Sequence, residues 1–338
     1  MRKIMKITTL VLGALLLGTG IYAYSMYHSV KKTADEMFEE RTPLPPMVLQ
    51  TEPVSKENKP KATQSDMAAV IDKEAISIRA GESVPAIQAN LDQKEPFTVL
   101  VMGVDEREHD RGRSDAMILL SVNPARESIL MFNIPRDTRT AIAGHGTVDK
   151  INHAYAFGGV DMSVRTVESF LQVPVHFYVK VNMEGFARII DTLGGVRVQN
   201  TMAFDYGGYH FTQGSIELTG DQALAYSRMR FEDPRGDLGR NTRQRQIVDG
   251  VLQKSLQMST VFSLNELLEG IGSSVRTDIT FEEMKILMTK YRKNLHGTKQ
   301  IEIQGSGATI GGIWYYIVEA KERQRIRSIL VEHMQPPQ

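Results

Sequence analysis

Short, nearly unbroken apolar runs recur along the middle of the chain. Residues 97–102, 116–122 and 128–134 carry few polar positions, and the last two runs are separated by the turn-like Asn123-Pro124-Ala125-Arg126. Strands that are apolar at successive positions, rather than alternating, are buried on both faces. Residues 176–181 and 196–198 add two shorter strand candidates. Between and after them the apolar period lengthens to that of a helix at 162–172, at 183–193 (closed by Gly194-Gly195), at 219–226, at 239–257 and at 281–295. Strands at 299–304 and 313–318 and a helix at 320–334 complete the pattern. It predicts an α/β fold: a single domain with a central, mostly buried β-sheet covered by helices on both faces.

The N-terminal region follows a different pattern. From Ile7 to Tyr27 there is no charged residue, and 10–17 is a continuous apolar run, matching the ~20 residues a helix needs to cross a bilayer. A cleaved signal peptide is the alternative, because Ala23-Tyr24-Ser25 offers small residues; its apolar core would be shorter, roughly 7–15 residues. Arg2, Lys3 and Lys6 precede the run and Lys31 and Lys32 follow it. Large domains are translocated despite small charge differences, so the bulk of the chain is expected outside. Residues 29–41 form a short amphipathic pattern with Val30, Ala34, Met37 and Phe38 on one side. A proline- and charge-rich stretch from Thr42 to Asp66 then reads as a linker. The expected layout is a cytoplasmic tip (1–6), a transmembrane signal anchor (7–27), an extracellular stalk (28–95) and a catalytic domain (96–334). The protein is thus expected in the cell membrane as a single-pass type II protein.

Composition narrows the function classes. Forty basic residues balance forty acidic ones, so the chain lacks the positive field expected of a nucleic-acid binder. It has no cysteine, which fits an extracellular bacterial protein without disulfides and much else. No Gly-rich loop ends in Gly-Lys-Ser/Thr, no Gly-x-Ser-x-Gly elbow occurs, and the histidines lack metal-ligand spacing.

Two segments mix carboxylates and guanidiniums beyond what packing requires. In the first, Asp105 and Asp115 lie just past one buried strand and just before the next, where open α/β sheets bind ligands. With Ser114 beside them they could hold Mg²⁺, or Mn²⁺, through oxygen ligands and water; an ordinary charged surface loop is the alternative. Arg136, in Ile134-Pro135-Arg136-Asp137, also sits at a strand's C-terminal end. In the second segment, Arg228 and Arg230 would share a face if the backbone there is extended. Arg240, Arg243 and Gln244 share a face if 239–257 is helical, at the head of the stripe Ile247, Val248 and Val251. Arg245 falls away from that stripe, toward solvent. A fork-shaped guanidinium matches phosphate oxygens in pairs, so these residues suit a pyrophosphate. A buried network with Asp233 and Asp237 is the competing account, and Asp237 could alternatively act as a base.

The order of motifs carries more than any one of them. Gly103-Val104-Asp105, Arg113-Ser114-Asp115, Ile134-Pro135-Arg136-Asp137, Lys150-Ile151-Asn152 with a downstream Ala154-Tyr155-Ala156-Phe157-Gly158-Gly159, Leu193-Gly194-Gly195-Val196, Ala225-Tyr226-Ser227-Arg228-Met229-Arg230 and Gly236 to Gln244 follow one another. This series resembles the LytR-CpsA-Psr family of cell-wall glycopolymer ligases over about 150 residues. The resemblance implies a membrane-anchored, metal-dependent phosphotransferase that takes a glycopolymer such as teichoic acid from an undecaprenyl-pyrophosphate carrier. The acceptor would be the 6-hydroxyl of N-acetylmuramic acid in peptidoglycan. It implies that Asp105 and Asp115 hold Mg²⁺, that Arg113, Arg136, Arg228, Arg230, Arg240 and Gln244 line the pyrophosphate, and that Asp105, Asp115, Arg228 and Asp237 are the catalytic candidates. A polyprenyl-pyrophosphate hydrolase and a non-catalytic membrane regulator remain the other readings.

Overall fold

The computed structural model describes residues 2–42, 88–106, 112–257, 272 and 274–337. Three of the apolar runs form adjacent strands: β1 (Phe97–Val104), β2 (Ser114–Asn123) and β3 (Ser128–Asn133). They are joined in one mixed sheet by β6 (Phe177–Asn182), β11 (Val275–Thr277) and β12 (Gly297–Gln300), in the order β11-β6-β1-β2-β3-β12. β1 runs antiparallel to β2 and parallel to β6, and β12 runs parallel to β3.

Both faces of the sheet are covered, as the continuous apolar runs require. Leu100, Met102, Val104, Met117, Leu119, Leu130 and Phe132 project to one side. There they meet Val160, Val164, Val167 and Phe170 of helix α2 (His153–Leu171) and Ile326 and Leu330 of helix α7 (Ala320–Met334). Phe97, Val99, Ile118, Leu120, Val122, Ile129 and Met131 project to the other, toward helices α5 (Asp237–Gln257) and α6 (Phe281–Ile286). Each fully buried Leu, Phe or Met contributes roughly 1.5–3 kcal/mol relative to exposure, so these two layers dominate the stability of the fold.

A third cluster lies beside the sheet. Helix α3 (Met183–Thr192), strands β7 (Val196–Asn200) and β10 (Gly214–Leu218), the β8–β9 hairpin (Phe204–Tyr206, Tyr209–Phe211) and helix α4 (Gly220–Arg228) enclose Phe204, Phe211, Leu218, Tyr226 and Met229. Its role for function is positional: it fixes the end of α4 and the chain leading into α5.

The structure departs from the sequence expectation in three places. The helix expected at 281–295 is α-helical only to Ile286, then widens into a π turn at Leu287–Tyr291. Tyr291 lands against Phe97 with ring centroids 5.3 Å apart and donates its hydroxyl to the Glu95 carbonyl at 2.7 Å. The strand expected at 299–304 pairs only through Gln300. The third departure is in the N-terminal segment. Helix α1 runs from Arg2 to Met37 without a break, and its last turns are not a free stalk. Val30, Ala34 and Met37 are buried against Val275 and Phe281, and Glu39 N–H donates to the Thr277 carbonyl at 2.8 Å. Arg41 Nε lies 2.6 Å from Asp278 while its other nitrogens donate to the carbonyls of Val175 and His176. The amphipathic pattern at 29–41 is thus a docking face. Of the rest of the expected stalk, 43–87 lies outside the described residues, while 88–95 is packed onto the domain, with Leu91 buried in the cluster on the α5 side of the sheet. The expected anchor, 7–27, lies on α1, mostly where side chains are not described; among the described residues no helix is long and apolar enough to cross a membrane.

Candidate functional site

The candidate residues converge at one end of the sheet, past the C-terminal end of β1 and β3 and before β2. Pairing of β1 with β2 slips between Gly103 and Val104, a bulge of the kind that re-aims side chains at a sheet rim. Beyond it, Asp105 N–H donates to the Arg113 carbonyl, closing the mouth of the 105–113 loop. Gly112 is required there: its φ is +69°, and a Cβ would lie 2.0 Å from the Asp105 carbonyl oxygen. The loop between, 107–111, lies outside the described residues.

Asp115, second residue of β2, accepts from Arg136 Nη1 at 2.8 Å and from Asn152 Nδ2 at 3.4 Å. Arg136 reaches it from the turn after β3, and Asn152 from the residue that starts α2. Arg136 Nε also approaches Asp237 Oδ1 at 4.0 Å and Asp137 at 3.7 Å. Asp237 opens α5, and its Oδ1 lies 2.8 Å from Nη2 of Arg240 one turn on. Asp115, Arg136, Asp237 and Arg240 therefore form a chain of alternating charge across three elements that are far apart in sequence.

The two arginines differ in electrostatics. Burial works against the Arg136 cation, yet its hydrogen bond to Asp115, with Asp237 and Asp137 behind it, raises its pKa above the ordinary arginine value. For Arg240 burial prevails, aided by repulsion from Arg136 and Arg230, and its pKa is lowered despite Asp237. Arg240 is 8 % exposed, and its Nε and Nη2 make no hydrogen bond; Nη2 is close to Asp237 but out of line with it. Arg136 Nε, Ser114 Oγ and Asn152 Oδ1 are likewise buried and unbonded. Buried, unpaired N–H groups of a cation cost several kcal/mol unless an anion meets them. Their concentration here marks a site built for one.

The remaining candidates are arranged around this centre. Arg228 is not in an extended segment: it is the last residue of α4, exposed, with no bonded partner among the described residues. Met229, between Arg228 and Arg230, is extended, and the Arg230 guanidinium stacks over the Phe231 ring at 4.4 Å. Arg113 is exposed at the foot of β2. Gln244 accepts from Asn133 Nδ2 at 3.3 Å, at the end of β3.

Two arginines of α5 prove structural. Arg243 Nη1 pairs with Asp233 at 2.5 Å, both side chains buried, while Nη2 donates to the Met229 carbonyl. This latch holds the 229–237 segment on α5. Arg245, expected in solvent, is 4 % exposed. It donates to Asn133 at 2.9 Å and to Glu302 at 2.6 Å, because the chain leaving β12 covers the side of α5 that a one-stripe helix would leave wet. Asn152 was the residue the motif Lys150-Ile151-Asn152 concealed: Lys150 is spent on Asp137 at 2.7 Å, and the amide two positions on reaches the site.

No group of three or more acidic or histidine side chains suited to a metal occurs among the described residues. Asp105 and Asp115, with the unbonded Ser114 oxygen between the strands, still offer an all-oxygen donor set, the chemistry a hard divalent cation prefers when water and substrate oxygens complete its shell.

Comparison with known proteins places the chain. The model of the LytR_cpsA_psr family matches residues 54–332. The polyisoprenyl-teichoic acid–peptidoglycan teichoic acid transferase TagU of Halalkalibacterium halodurans is 42% identical over 340 residues, covering 99% of each chain. The crystal structure of Bacillus subtilis TagU, 43% identical, superposes with a TM-score of 0.60 over 72% of this chain and 99% of that one. A structure of TagT bound to LI-WTA matches with a TM-score of 0.63 at 27% identity, over 75% of this chain and 97% of that one.

Proposed function

This chain belongs to the LytR_cpsA_psr family, and from that premise we propose that it transfers a teichoic acid, or a similar anionic glycopolymer, from a polyprenyl-pyrophosphate carrier to peptidoglycan. The observation that carries the proposal is the buried Arg240 guanidinium, whose Nε makes no hydrogen bond, beside the partly buried Arg136, whose Nε is likewise unbonded. A pyrophosphate supplies acceptors for those two Nε groups, and the fork geometry of arginine suits two phosphates in tandem. The relatives' names supply the polymer and the acceptor.

In the reaction, the 6-hydroxyl of an N-acetylmuramic acid residue attacks the phosphorus that carries the polymer. A new O–P bond forms, the bond to the bridging oxygen breaks, and undecaprenyl phosphate leaves with that oxygen; the hydroxyl proton passes to a base. Such transfers need alignment and charge neutralisation more than covalent help. Arg240 and Arg136 clamp the pyrophosphate, and the exposed Arg228 and Arg113 and the partly buried Arg230 close over it from the rim, with Gln244 hydrogen-bonding beneath. Asp237 holds Arg240 in place and lies beside Arg136. Mg²⁺ on Asp105 and Asp115 would neutralise charge developing on the phosphate oxygens. The prenyl chain is assigned to the α5 side of the sheet, where Val101, Val179, Val248 and Leu252 stay only partly buried.

The same reading places α1 in the membrane through 7–27 and the domain outside, where lipid carrier and peptidoglycan meet. Incubating the full chain in detergent with a synthetic polyprenyl-pyrophosphate glycan, peptidoglycan fragments and Mg²⁺ tests it. Glycan phosphate on peptidoglycan, lost in Arg228→Ala and without metal, is the expected result. Lipid phosphate released with no glycan transferred would instead make the protein a hydrolase, and binding without turnover a sensor.

A further inference from the structure

A second concavity adjoins the arginine site but cannot serve the same ligand. It encloses about 250 Å³ between the end of α1, strand β6 and the first half of α2. Its working groups are Glu39, Glu106, Tyr155, Asp161 and Lys180. Two of these tie it to the reacting centre. Glu106 follows Asp105 in the chain, and Tyr155 lies three residues along α2 from Asn152, which donates to Asp115. The Tyr155 hydroxyl donates to Glu106 Oε1, and Lys180 Nζ reaches the same oxygen at 3.4 Å and Glu39 at 3.8 Å. The backbone gives way around this space: α2 is kinked at Gly158 and Gly159, with Gly159 at φ +66°, and nothing lies within 4 Å of where a Gly159 Cβ would stand.

The charges select the ligand class. Arg41, on the same wall, is already committed to Asp278 at 2.6 Å. That leaves Lys180, itself shared between Glu106 and Glu39, as the second cation against Glu39, Glu40, Glu106 and Asp161, whose carboxyl is pushed up by burial. Four carboxylates against two cations already engaged repel a phosphate, so the carrier's pyrophosphate is excluded. A neutral polyhydroxylated ring is suited instead: carboxylates accept from its hydroxyls, the ammonium donates to its oxygens, and the Tyr155 ring and Val160 offer apolar surface. The volume lies below the ~300–1,000 Å³ of sites for larger ligands, which limits the occupant to about one sugar ring.

We propose that this cavity is the acceptor subsite, holding one N-acetylhexosamine ring of the peptidoglycan strand so that its primary hydroxyl is presented beside Asp105. The assignment rests on the transferase reading above and names where that reaction's second substrate sits. It also gives the end of α1 a part in the site, because Glu39 comes from the segment that follows that helix.

The test uses the full chain in detergent, with a peptidoglycan-derived disaccharide whose N-acetylmuramic acid lactyl group is amidated, and so uncharged, as the acceptor probe. Glu106→Gln and Lys180→Gln each preserve size while removing charge. In each, the acceptor KM should rise about tenfold, the loss expected for one charge-assisted hydrogen bond. The dissociation constant for the lipid donor should stay within about twofold in the same variants, because the arginine site is untouched. Saturation-transfer NMR should show the disaccharide contacting wild-type protein and not Lys180→Gln, with unchanged thermal unfolding excluding misfolding as the cause. Acceptor KM unchanged in both variants would overturn the assignment. So would disaccharide contact that survives them, or displacement of the probe by Ca²⁺ alone, which would make the cavity a cation site. Failure of the transferase reading itself would look different: wild-type protein would bind donor yet transfer nothing to any acceptor.

Discussion

Gly239 stands in the first turn of α5, where helix propensity and packing demand opposite outcomes. In an ordinary exposed helix, Gly→Ala gains about 1 kcal/mol by reducing unfolded-state freedom. Here a Cβ would lie 1.9 Å from Asp233 Oδ2 and 2.2 Å from its Cγ. Asp233 cannot simply swing away: Oδ2 is paired with buried Arg243 at 2.5 Å, and Oδ1 accepts from Arg235 N–H at 2.8 Å. Displacing it leaves a buried guanidinium short of its partner, a change that costs roughly 3–5 kcal/mol when a buried pair is broken. Subtracting the propensity gain, Gly239→Ala should destabilise the protein by about 2–4 kcal/mol, or lower Tm by about 4–16 °C at 2–4 °C per kcal/mol for a domain of this size. Thermal unfolding of the detergent-solubilised protein reads this directly. A double-mutant cycle sharpens it: once Asp233→Asn has weakened the pair, adding Gly239→Ala should cost much less than it does alone. A Gly239→Ala protein as stable as wild type, or more so, would refute the latch, because propensity would then have decided the sign.

Other consequences are independent of that latch. Arg240→Met should cut transfer by about 10²–10³-fold, the scale of losing one preorganised electrostatic donor, while Tm changes little, because relief of a buried and incompletely bonded cation offsets the loss of its pair with Asp237, which stays partly exposed and beside Arg136; a stability loss with activity retained would contradict its assigned role. His176 and His333 are buried, and their pKa values are pushed down to about 4. Both stay neutral when folded while the unfolded chain takes up protons below about 6.5, so stability should be full above that pH, fall as pH drops and level off near 4, by roughly 2–3 kcal/mol for each; urea titrations of His333→Gln should show a flatter decline. Arg41→Ala leaves Asp278 buried without its cation and undocks the end of α1, for an expected loss of about 2–3 kcal/mol, discounted because Arg41 is partly exposed; an unchanged urea midpoint would show that the α1 contact is idle. Asp105→Asn should lose transfer and its response to Mg²⁺ together, measured as rate against metal concentration, whereas a merely slower enzyme with the same metal dependence would remove Asp105 from the metal.

The large elements were legible because burial on both faces of the sheet leaves a continuous apolar signature, and β1, β2 and β3 follow it within a residue or two. Helix ends were less so: the π turn after Ile286 depends on Tyr291 finding Phe97, nearly two hundred positions away. In α5 the one-stripe argument misplaced Arg245, since Glu302 and Asn133 cover a second face of that helix and no local period records them. Arg136 and Arg240 could be nominated from motif order, but that Arg240 is buried with unbonded nitrogens, while Arg243 is latched to Asp233, is a fact of tertiary packing. The second cavity was invisible for the same reason: Glu39, Glu106, Tyr155 and Lys180 are ordinary charged or aromatic positions until α1, β6 and α2 bring them together. The docking face at 29–41 was visible as a pattern, and its apolar side needed β11 and α6 to give it a partner.

The central claim is that Arg136 and Arg240 form a clamp for two linked phosphates. Its most direct test is calorimetric titration of the full chain with a short-chain polyprenyl pyrophosphate and with the matching monophosphate, in wild type and Arg240→Met. The clamp predicts that the pyrophosphate binds at least about tenfold tighter than the monophosphate, the equivalent of one further charge-assisted contact, and that the variant loses this preference. Equal affinity for both lipids in wild type, or a preference that survives in Arg240→Met, would contradict it.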